Sequence, residues 1–256
     1  MARITKQQQR RRRLLRRTLA VLGLGAVLGL GVLGWRWQAS VPVRAVEVRG
    51  AVHADTTMIL DLAAVPDSAM LFALDPALLE DRVQRHPWVA EASVTRWMSG
   101  TLRISVTERV PVALALDDAG RPAFYFDAAG FRMPIASAER GTVYDVPLLH
   151  GFGPYQPTTP VDDASVLDLL ATLAALDDAT DALVSSVERT PGGFVLTTAP
   201  TPGGAAIPVA LGRGGFAEKL ARLRAFWEQA VLSRPDTPVR RIDLRFDGQI
   251  VTEESG

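Results

Sequence analysis

The stretch "VAEASVTRWMSGTLRISVT", residues 89–107, has the pattern of a two-stranded hairpin. Apolar and polar residues alternate on both sides of the turn "MSG". The apolar face is formed by Ala90, Ala92, Val94, Leu102, Ile104 and Val106. A period of two is typical of strands with one buried face and one face in water. We therefore predict a hairpin whose apolar face packs against other elements that cover it.

The residues before this hairpin predict that cover. "VRAVEVRG" alternates as a strand and stops at Gly50, and Asp55 can cap a helix through "TTMILDLAAV". A second helix has Asp75 as its cap and Pro76 at its first position, and Pro87 should end it. The order is therefore strand, helix, helix, strand, strand, a layered module spanning residues 43–113.

The segment in front of this module has the features of a membrane anchor. Residues 18–35 carry no charge and would span about 27 Å as a helix, close to a hydrocarbon core of about 30 Å. Arginines precede it and predict a cytoplasmic tail at residues 1–17 by the positive-inside rule. This topology signal consists of Arg10, Arg11, Arg12, Arg13, Arg16 and Arg17.

The alternative for this segment is a cleaved signal peptide. Such a peptide has an apolar region of about 7–15 residues and a small-x-small cleavage site. Here the apolar run is longer, and "WRWQASVPV" offers no good A-x-A sequence. The pattern favours a permanent anchor with the rest of the chain exported.

Charge and composition exclude several classes of protein. Residues 37–256 carry 19 of the 28 basic side chains and all 28 acidic ones, a net charge of −9. A nucleic-acid-binding domain normally has a basic face, so we predict no nucleic-acid partner. Without cysteine the chain forms neither disulfides nor thiolate metal sites.

A second module is predicted at residues 120–252. "AFYFD" and "FRM" flank the turn "DAAG", and "VSSVERT" and "FVLTT" flank a Pro-Gly-Gly turn. Helical spacing appears in "SVLDLLATLAAL" and in "FAEKLARLRAFWEQAV", where Trp227 should be a core residue. "AAIPVALG" is a further strand in which Pro208 favours an edge or a bulge.

The end of the chain predicts the last strand of this module. In "VRRIDLRFDGQIVTEE", the residues Ile242, Leu244 and Phe246 should face inward, although Phe246 could equally be an exposed contact, and a turn at Asp247-Gly248 precedes "QIVT". Residues 253–256 form a short tail. The predicted fold class is α+β: one transmembrane helix, a βααββ module, and a mixed domain on a mostly antiparallel sheet with a C-terminal edge strand.

No motif in the sequence predicts an enzyme, a cofactor site or a metal site. His53, His86 and His150 lie far apart, and "LGRGG" lacks the Gly-Lys-Ser/Thr that holds a nucleotide phosphate. The carboxylate pairs Asp117-Asp118, Asp162-Asp163 and Asp177-Asp178 suit turns or helix starts. An envelope enzyme acting on peptidoglycan is the alternative, and it needs two carboxylates about 5–9.5 Å apart across one cleft.

Several phrases together resemble the FtsQ/DivIB family of bacterial cell-division proteins, in the family's order. They are "HPWVAEASVTRW", "TLRISVTERVPVAL", "FDAAGFRMP", "VPLLHG", "LGRGGFAEKLARL" and "IDLRFDGQIV". Met98 departs from the pattern, since many members have proline after "RxW". The resemblance implies that the first module is a POTRA domain, and that the protein is a non-enzymatic divisome scaffold at the septal inner membrane.

The resemblance also implies partners and a binding site. Its partners would be FtsB- and FtsL-type proteins, beside other divisome members and the septal peptidoglycan synthesis machinery. Carried over by motif, the partner-binding residues are Arg245, Phe246, Gly248, Gln249, Ile250, Val251 and Thr252. Arg189, on the preceding hairpin, is a further candidate with a looser alignment. A POTRA-type chaperone or receptor is another alternative, which predicts more POTRA repeats or a barrel.

Overall fold

The computed structural model describes residues 6–135, 144–157, 159–201, 204–233, 239–246 and 248–254. The helices are α1 Lys6–Ala39, α2 Thr56–Ala63, α3 Pro76–Val83, α4 Ala164–Ala174, α5 Asp178–Asp181 and α6 Phe216–Phe226. The strands are β1 Ala45–Arg49, β2 Val89–Trp97, β3 Thr101–Glu108, β4 Ala113–Leu116, β5 Pro122–Phe126, β6 Arg132–Pro134, β7 Leu148–His150, β8 Val184–Thr190, β9 Gly193–Thr198, β10 Pro208–Gly212, β11 Val239–Asp243 and β12 Val251–Glu254. A 3₁₀ turn, Leu71–Ala73, precedes α3, and a π-helical turn, Trp227–Val231, extends α6.

Helix α1 contains an apolar span, Leu19–Ala39, of 21 residues that is long enough to cross a membrane. At about 1.5 Å per residue the span measures about 31 Å. None of it is buried by the rest of the chain. The helix continues four residues beyond the predicted end at position 35. The six arginines of the predicted topology signal belong to α1, but side chains before Leu19 lie outside the described part of the structure.

The first module has the predicted order of elements. Its sheet is ordered β1-β3-β2, with β1 parallel to β3 and β2 antiparallel to β3. Asp55 and Asp75 cap α2 and α3 by accepting backbone N–H groups at 2.8 and 3.0 Å. Helix α3 ends at Val83, before the predicted stop at Pro87. The two helices cover one face of the sheet, as the alternation in residues 89–107 predicts.

The second module is a nine-stranded sheet ordered β12-β11-β10-β9-β8-β7-β4-β5-β6. Five of its eight strand pairs are antiparallel and three are parallel, which confirms the predicted class. Helices α4 and α6 pack on one face of this sheet, where Leu169, Leu170, Phe216 and Leu220 are buried. Trp227 is 5% exposed in the same core.

Pro208 was predicted to mark an edge or a bulge, and the edge alternative is wrong, because β10 lies between β9 and β11. Pro208 stands at the first position of its strand, where a missing N–H is tolerated. The irregularity in the β10–β9 ladder falls farther along, between Ala210 and Gly212.

Strand β4 was not predicted, and it connects the two modules. All four of its residues are buried, since Ala113 and Ala115 face the helix-covered core while Leu114 and Leu116 face the first module. It pairs with β5 and β7 inside the larger sheet. The back of the larger sheet therefore packs against the first module.

An aromatic cluster lies at this contact between modules. Trp88 stacks on His53 with ring centroids 5.1 Å apart and meets Tyr125 edge-on at 6.2 Å. The indole N–H of Trp88 donates to the carbonyl of Pro134 on β6 at 3.0 Å. Tyr144 packs against His53 with centroids 5.5 Å apart. The cluster holds the loop after β1 against the second sheet.

A charged pair joins the modules beside this cluster. Arg109 Nη1 lies 2.8 Å from Asp127 Oδ2, and the two side chains are 12% and 10% exposed. The guanidinium also lies 3.6 Å from the ring centre of Phe131. Asp127 in turn accepts the backbone N–H groups of Ala129 and Phe131 in the β5–β6 turn. Arg109 is thus held against the ring of Phe131, and Asp127 is held by the backbone of the turn.

Candidate partner-binding edge

Strand β12 is the last strand of the nine-stranded sheet in space as well as in sequence. It pairs antiparallel with β11, with Ile242 opposite Thr252 and Asp243 opposite Val251. Nothing among the described residues pairs with its other side. An edge of this kind offers unpaired N–H and C=O groups to an extended segment of another chain.

The hydrogen bonds of β11 show which residue of β12 faces outward. Leu244 donates its N–H to the carbonyl of Ala210 on β10 at 2.9 Å. Backbone groups alternate in direction along a strand, so Ile242 also points to β10 while Asp243 points to β12. Val251 therefore bonds to Asp243, and its neighbour Thr252 directs its N–H and C=O away from the sheet.

The segment between β11 and β12 brings further predicted residues to this edge. Arg245 curls back onto Asp243, with its Nε 2.9 Å from Oδ1 and its Nη2 2.5 Å from Oδ2. Hydrogen bonding to Arg245 lowers the pKa of Asp243. Gly248 has a φ of +70° that favours glycine, and Ile250 packs partly against the core.

The inward placement of Phe246 is wrong: its side chain is 52% exposed. The chain leaves the sheet after Leu244, which is fully buried like Ile242, so the alternation does not reach Phe246. Of the seven predicted residues, Val251 and Thr252 lie in the edge strand, and the other five lie in the segment before it.

Two residues assigned to a short tail belong to the edge strand. Glu253 and Glu254 extend β12 and pair opposite Arg241 and Val239. Their signal in the sequence was the unbroken run "QIVTEE", in which the glutamates face water on an edge strand.

Arg189 is not part of this edge. It lies on β8, four strand spacings or about 19 Å from β12, and its Nη2 is 2.6 Å from Asp163 Oδ2. Asp163 also caps α4 by accepting the N–H of Ser165 at 2.9 Å. The structure therefore gives Arg189 a place in a local ion pair that supports the start of α4.

A basic cleft of about 370 Å³ lies beneath the segment after β11. It is lined by Gly212, Arg213, Gly214, Gly215, Glu218, Lys219, Arg222 and Arg245. The predicted strand-to-helix turn at "LGRGG" is confirmed, with Gly215 preceding α6. Lys219 is 8% exposed and donates to the carbonyls of Leu211 and Gly214 at 2.7 Å, so it holds this turn together.

The paired carboxylates have local roles in turns and caps. Asp117 accepts backbone and side-chain bonds from Arg121, and these bonds lower the pKa of Asp117. Asp177 caps α5, and its bonds to Thr180, followed by the charge of Arg224, lower its pKa.

Two of the three histidines, His53 and His86, are likewise engaged locally. The ring of His53 lies 2.8 Å from Glu108 Oε2, and Nδ1 of His86 accepts the N–H of Trp88 at 3.2 Å. Burial lowers the pKa of His86 although Glu108 and Asp55 oppose that shift. Within the described residues no group of three or more His, Asp or Glu side chains is placed to hold a metal ion.

Three features define the class of protein: an apolar N-terminal helix able to span a membrane, a βααββ module directly after it, and a large sheet that ends in the C-terminal strand β12. Residues 41–109 match the family model for the FtsQ-type POTRA domain. Residues 124–245 match the model for the C-terminal part of the cell division protein FtsQ/DivIB.

Relatives agree over nearly the whole chain. It is 52% identical over 246 residues to the cell division protein FtsQ of Rhodothermus marinus, covering 95% of this chain and 88% of the relative. The FtsQ of Salinibacter ruber is 46% identical over 245 residues, with 93% of each chain covered. The FtsQ of Geobacter sp. strain M21 is 29% identical over 249 residues, with 91% of this chain and 85% of the relative covered. The chain belongs to the FtsQ/DivIB family of bacterial cell-division proteins.

Proposed function

We propose that this chain is a non-enzymatic, single-pass scaffold of the divisome that captures FtsB- and FtsL-type partners through its extracytoplasmic domains. Its N-terminus lies in the cytoplasm, α1 crosses the inner membrane, and the two modules stand outside it at the division septum. The observation that carries the proposal is β12, an edge strand whose Thr252 directs its backbone groups outward.

Capture at this edge follows from ordinary sheet chemistry. A partner segment that pairs with β12 gains backbone hydrogen bonds, and alternate side chains supply selectivity. Phe246 and Val251 are 52% and 47% exposed, so apolar side chains of the partner have surfaces to cover. Arg245, paired with Asp243, places a guanidinium in the same segment of the chain.

The membrane topology is supported by α1. None of its 21-residue span is buried, although its last turn lies next to Phe72 and Ala73. The basic residues precede the span, on the side away from the folded modules. Such an arrangement favours a cytoplasmic N-terminus.

Thr252→Pro tests the proposal. Proline removes the outward N–H and leaves the bonds between β11 and β12 in place, since those come from Val251. We expect at least a tenfold loss of affinity for a cognate FtsB/FtsL pair, corresponding to about 1.4 kcal/mol for one lost bond and its displaced neighbours.

Thr252→Ala is the matched control, because it removes the side chain and keeps the N–H. Affinity should be measured with the full chain in nanodiscs, beside a circular-dichroism melt of each variant. If folded Thr252→Pro binds as tightly as Thr252→Ala, the partner does not pair with this edge.

A further inference from the structure

Four partly or largely exposed apolar side chains lie together at one end of the POTRA domain, beside the exit of α1. They are Met70, Phe72, Trp97 and Met98, and we call them the juxtamembrane surface. Met70, Trp97 and Met98 are 43%, 48% and 63% exposed. Isolated exposed apolar residues are common, but a group beside a membrane span suggests contact with lipid.

The domain follows α1 without a flexible linker. After the helix ends at Ala39, the N–H of Ser40 bonds back to the carbonyl of Trp37 at 3.1 Å. The carbonyl of Val41 then already accepts the N–H of Leu71 at 2.8 Å. Pro42 also forms a β-bridge with Met70. One residue therefore separates the helix from the hydrogen-bonded domain.

The β2–β3 turn is fixed to the same short connection. Arg44 donates its N–H to the carbonyl of Gly100 at 2.8 Å. Gly100 has a φ of +94°, and a Cβ there would lie 2.9 Å from the carbonyl oxygen of Pro42. This close approach brings Trp97 and Met98 next to the first residues after the helix.

The helix itself packs against this end of the domain. A cavity of about 180 Å³ is lined by Trp35, Gln38 and Ala39 of α1 together with Phe72 and Ala73. Trp35 and Trp37 are 76% and 54% exposed. Tryptophans at the end of a membrane span lie at the boundary between acyl chains and headgroups.

We propose that the juxtamembrane surface rests on the lipid bilayer, with Trp97 and Met98 in the headgroup region. The contact is continuous with the lipid contact of α1, and the inference depends on α1 being a membrane anchor; it does not depend on partner capture at β12. Arg44 and Arg96 lie at the same end, so the surface also offers cationic side chains to anionic headgroups.

Docking of this surface orients the rest of the protein. Strand β3 runs from the juxtamembrane turn at Thr101 to Glu108, a distance of about 23 Å. Val110 follows the far end of that strand and so lies at the opposite end of the same domain. It is 70% exposed, which makes it a suitable position for a label. The POTRA sheet stands on the membrane, and the larger sheet is held away from it.

The absence of cysteine from the chain allows a clean test with single spin labels. Leu28→Cys, Met98→Cys and Val110→Cys are each labelled in the full chain, reconstituted in liposomes of phosphatidylethanolamine and phosphatidylglycerol. Electron paramagnetic resonance then compares collisions with oxygen, which concentrates in lipid, and with a water-soluble nickel complex. Met70→Cys is a second label on the juxtamembrane surface.

We expect the nickel collision rate at Met98 and Met70 to be at least threefold below that at Val110. The label at Leu28 should collide mainly with oxygen. If Met98 and Val110 are equally accessible to nickel while Leu28 is in lipid, the docking proposal is wrong and the anchor stands. If Leu28 is also open to nickel, the anchor is wrong and the docking falls with it. Partner affinity in the Thr252 variants is measured separately, so a failure of the partner-capture proposal can be told apart from a failure of the docking proposal.

Discussion

Replacing Glu108 with alanine should cost more stability than removing any exposed carboxylate of the POTRA sheet. The side chain of Glu108 is 12% exposed. Its Oε1 accepts the backbone N–H groups of Val52, His53 and Ala54 at 2.7, 2.8 and 2.8 Å. Burial by itself raises the pKa of Glu108, but these bonds and the one from His53 outweigh it and lower the pKa.

The magnitude follows from the bonds that alanine leaves unmade. A hydrogen bond to a charged group contributes about 1.5–3 kcal/mol, and a buried donor without a partner costs a similar amount. Water can replace the bond at Val52, which is exposed, but less easily those at His53 and Ala54. We expect a loss of about 3 kcal/mol, or a fall in Tm of about 6–12 °C for a protein of this size.

Denaturant unfolding of the full chain in detergent micelles measures this loss. Tryptophan fluorescence follows the unfolding, and Trp88, one of five tryptophans, contributes a signal from this region because its ring stacks on His53. Glu108→Gln retains one acceptor oxygen and should lose about half as much. Glu91→Ala is the matched control, since Glu91 is exposed on β2 and has no partner among the described residues.

The pH dependence has a definite sign. A carboxylate whose folded pKa is depressed stabilises the fold above its unfolded pKa, about 4.3, and that stability is lost as the pH falls through the folded pKa. The gap between wild type and Glu108→Ala should therefore narrow below about pH 4. The prediction is refuted if Glu108→Ala loses no more unfolding free energy than Glu91→Ala. It is also refuted if the loss in Glu108→Ala is the same at pH 7 and pH 3.

Three further substitutions test other parts of the fold by the same unfolding measurement. Arg109→Met leaves the carboxylate of Asp127 buried without its cation and should cost about 3 kcal/mol, whereas Arg109→Lys should cost less. Burial, aided by neighbouring carboxylates, raises the pKa of Asp181. Asp181→Asn should therefore stabilise the protein slightly at pH 7 and not below pH 4. An equal change in unfolding free energy at the two pH values would contradict this. Gly193→Ala should cost more than 3 kcal/mol, because its Cβ would lie against the carbonyl of Gly212 and its φ is +115°. An unchanged unfolding midpoint would show that strands β9 and β10 can move apart enough to accept the methyl group.

Local patterns predicted most elements correctly. The alternation in residues 89–107 and the caps at Asp55 and Asp75 depend on neighbouring residues, and the structure confirms them. The last strand was also predicted to lie at an edge, and β12 does. The alternation and the caps are set by interactions between residues close in sequence, which is why the sequence alone reveals them.

The failures came where distant segments decide the structure. Strand β4 is buried on both faces, so "ALAL" has no alternation, and its status depends on packing against two layers. Phe246 follows an alternating run, but that run stops when Arg245 turns back to Asp243. The candidate edge was predicted from a family resemblance, and which of its residues belong to a strand required the register with β11.

The two glutamates of β12 affect whether copies of this chain associate with one another through the edge strand. Molecules confined to a bilayer meet often, and an open strand is a template for self-association into aggregates. If two copies paired in parallel and in register at this strand, Glu253 and Glu254 of one copy would lie beside the same residues of the other, and like charges across a ladder repel. Acidic side chains thus discourage homotypic pairing and leave the strand free for a different chain.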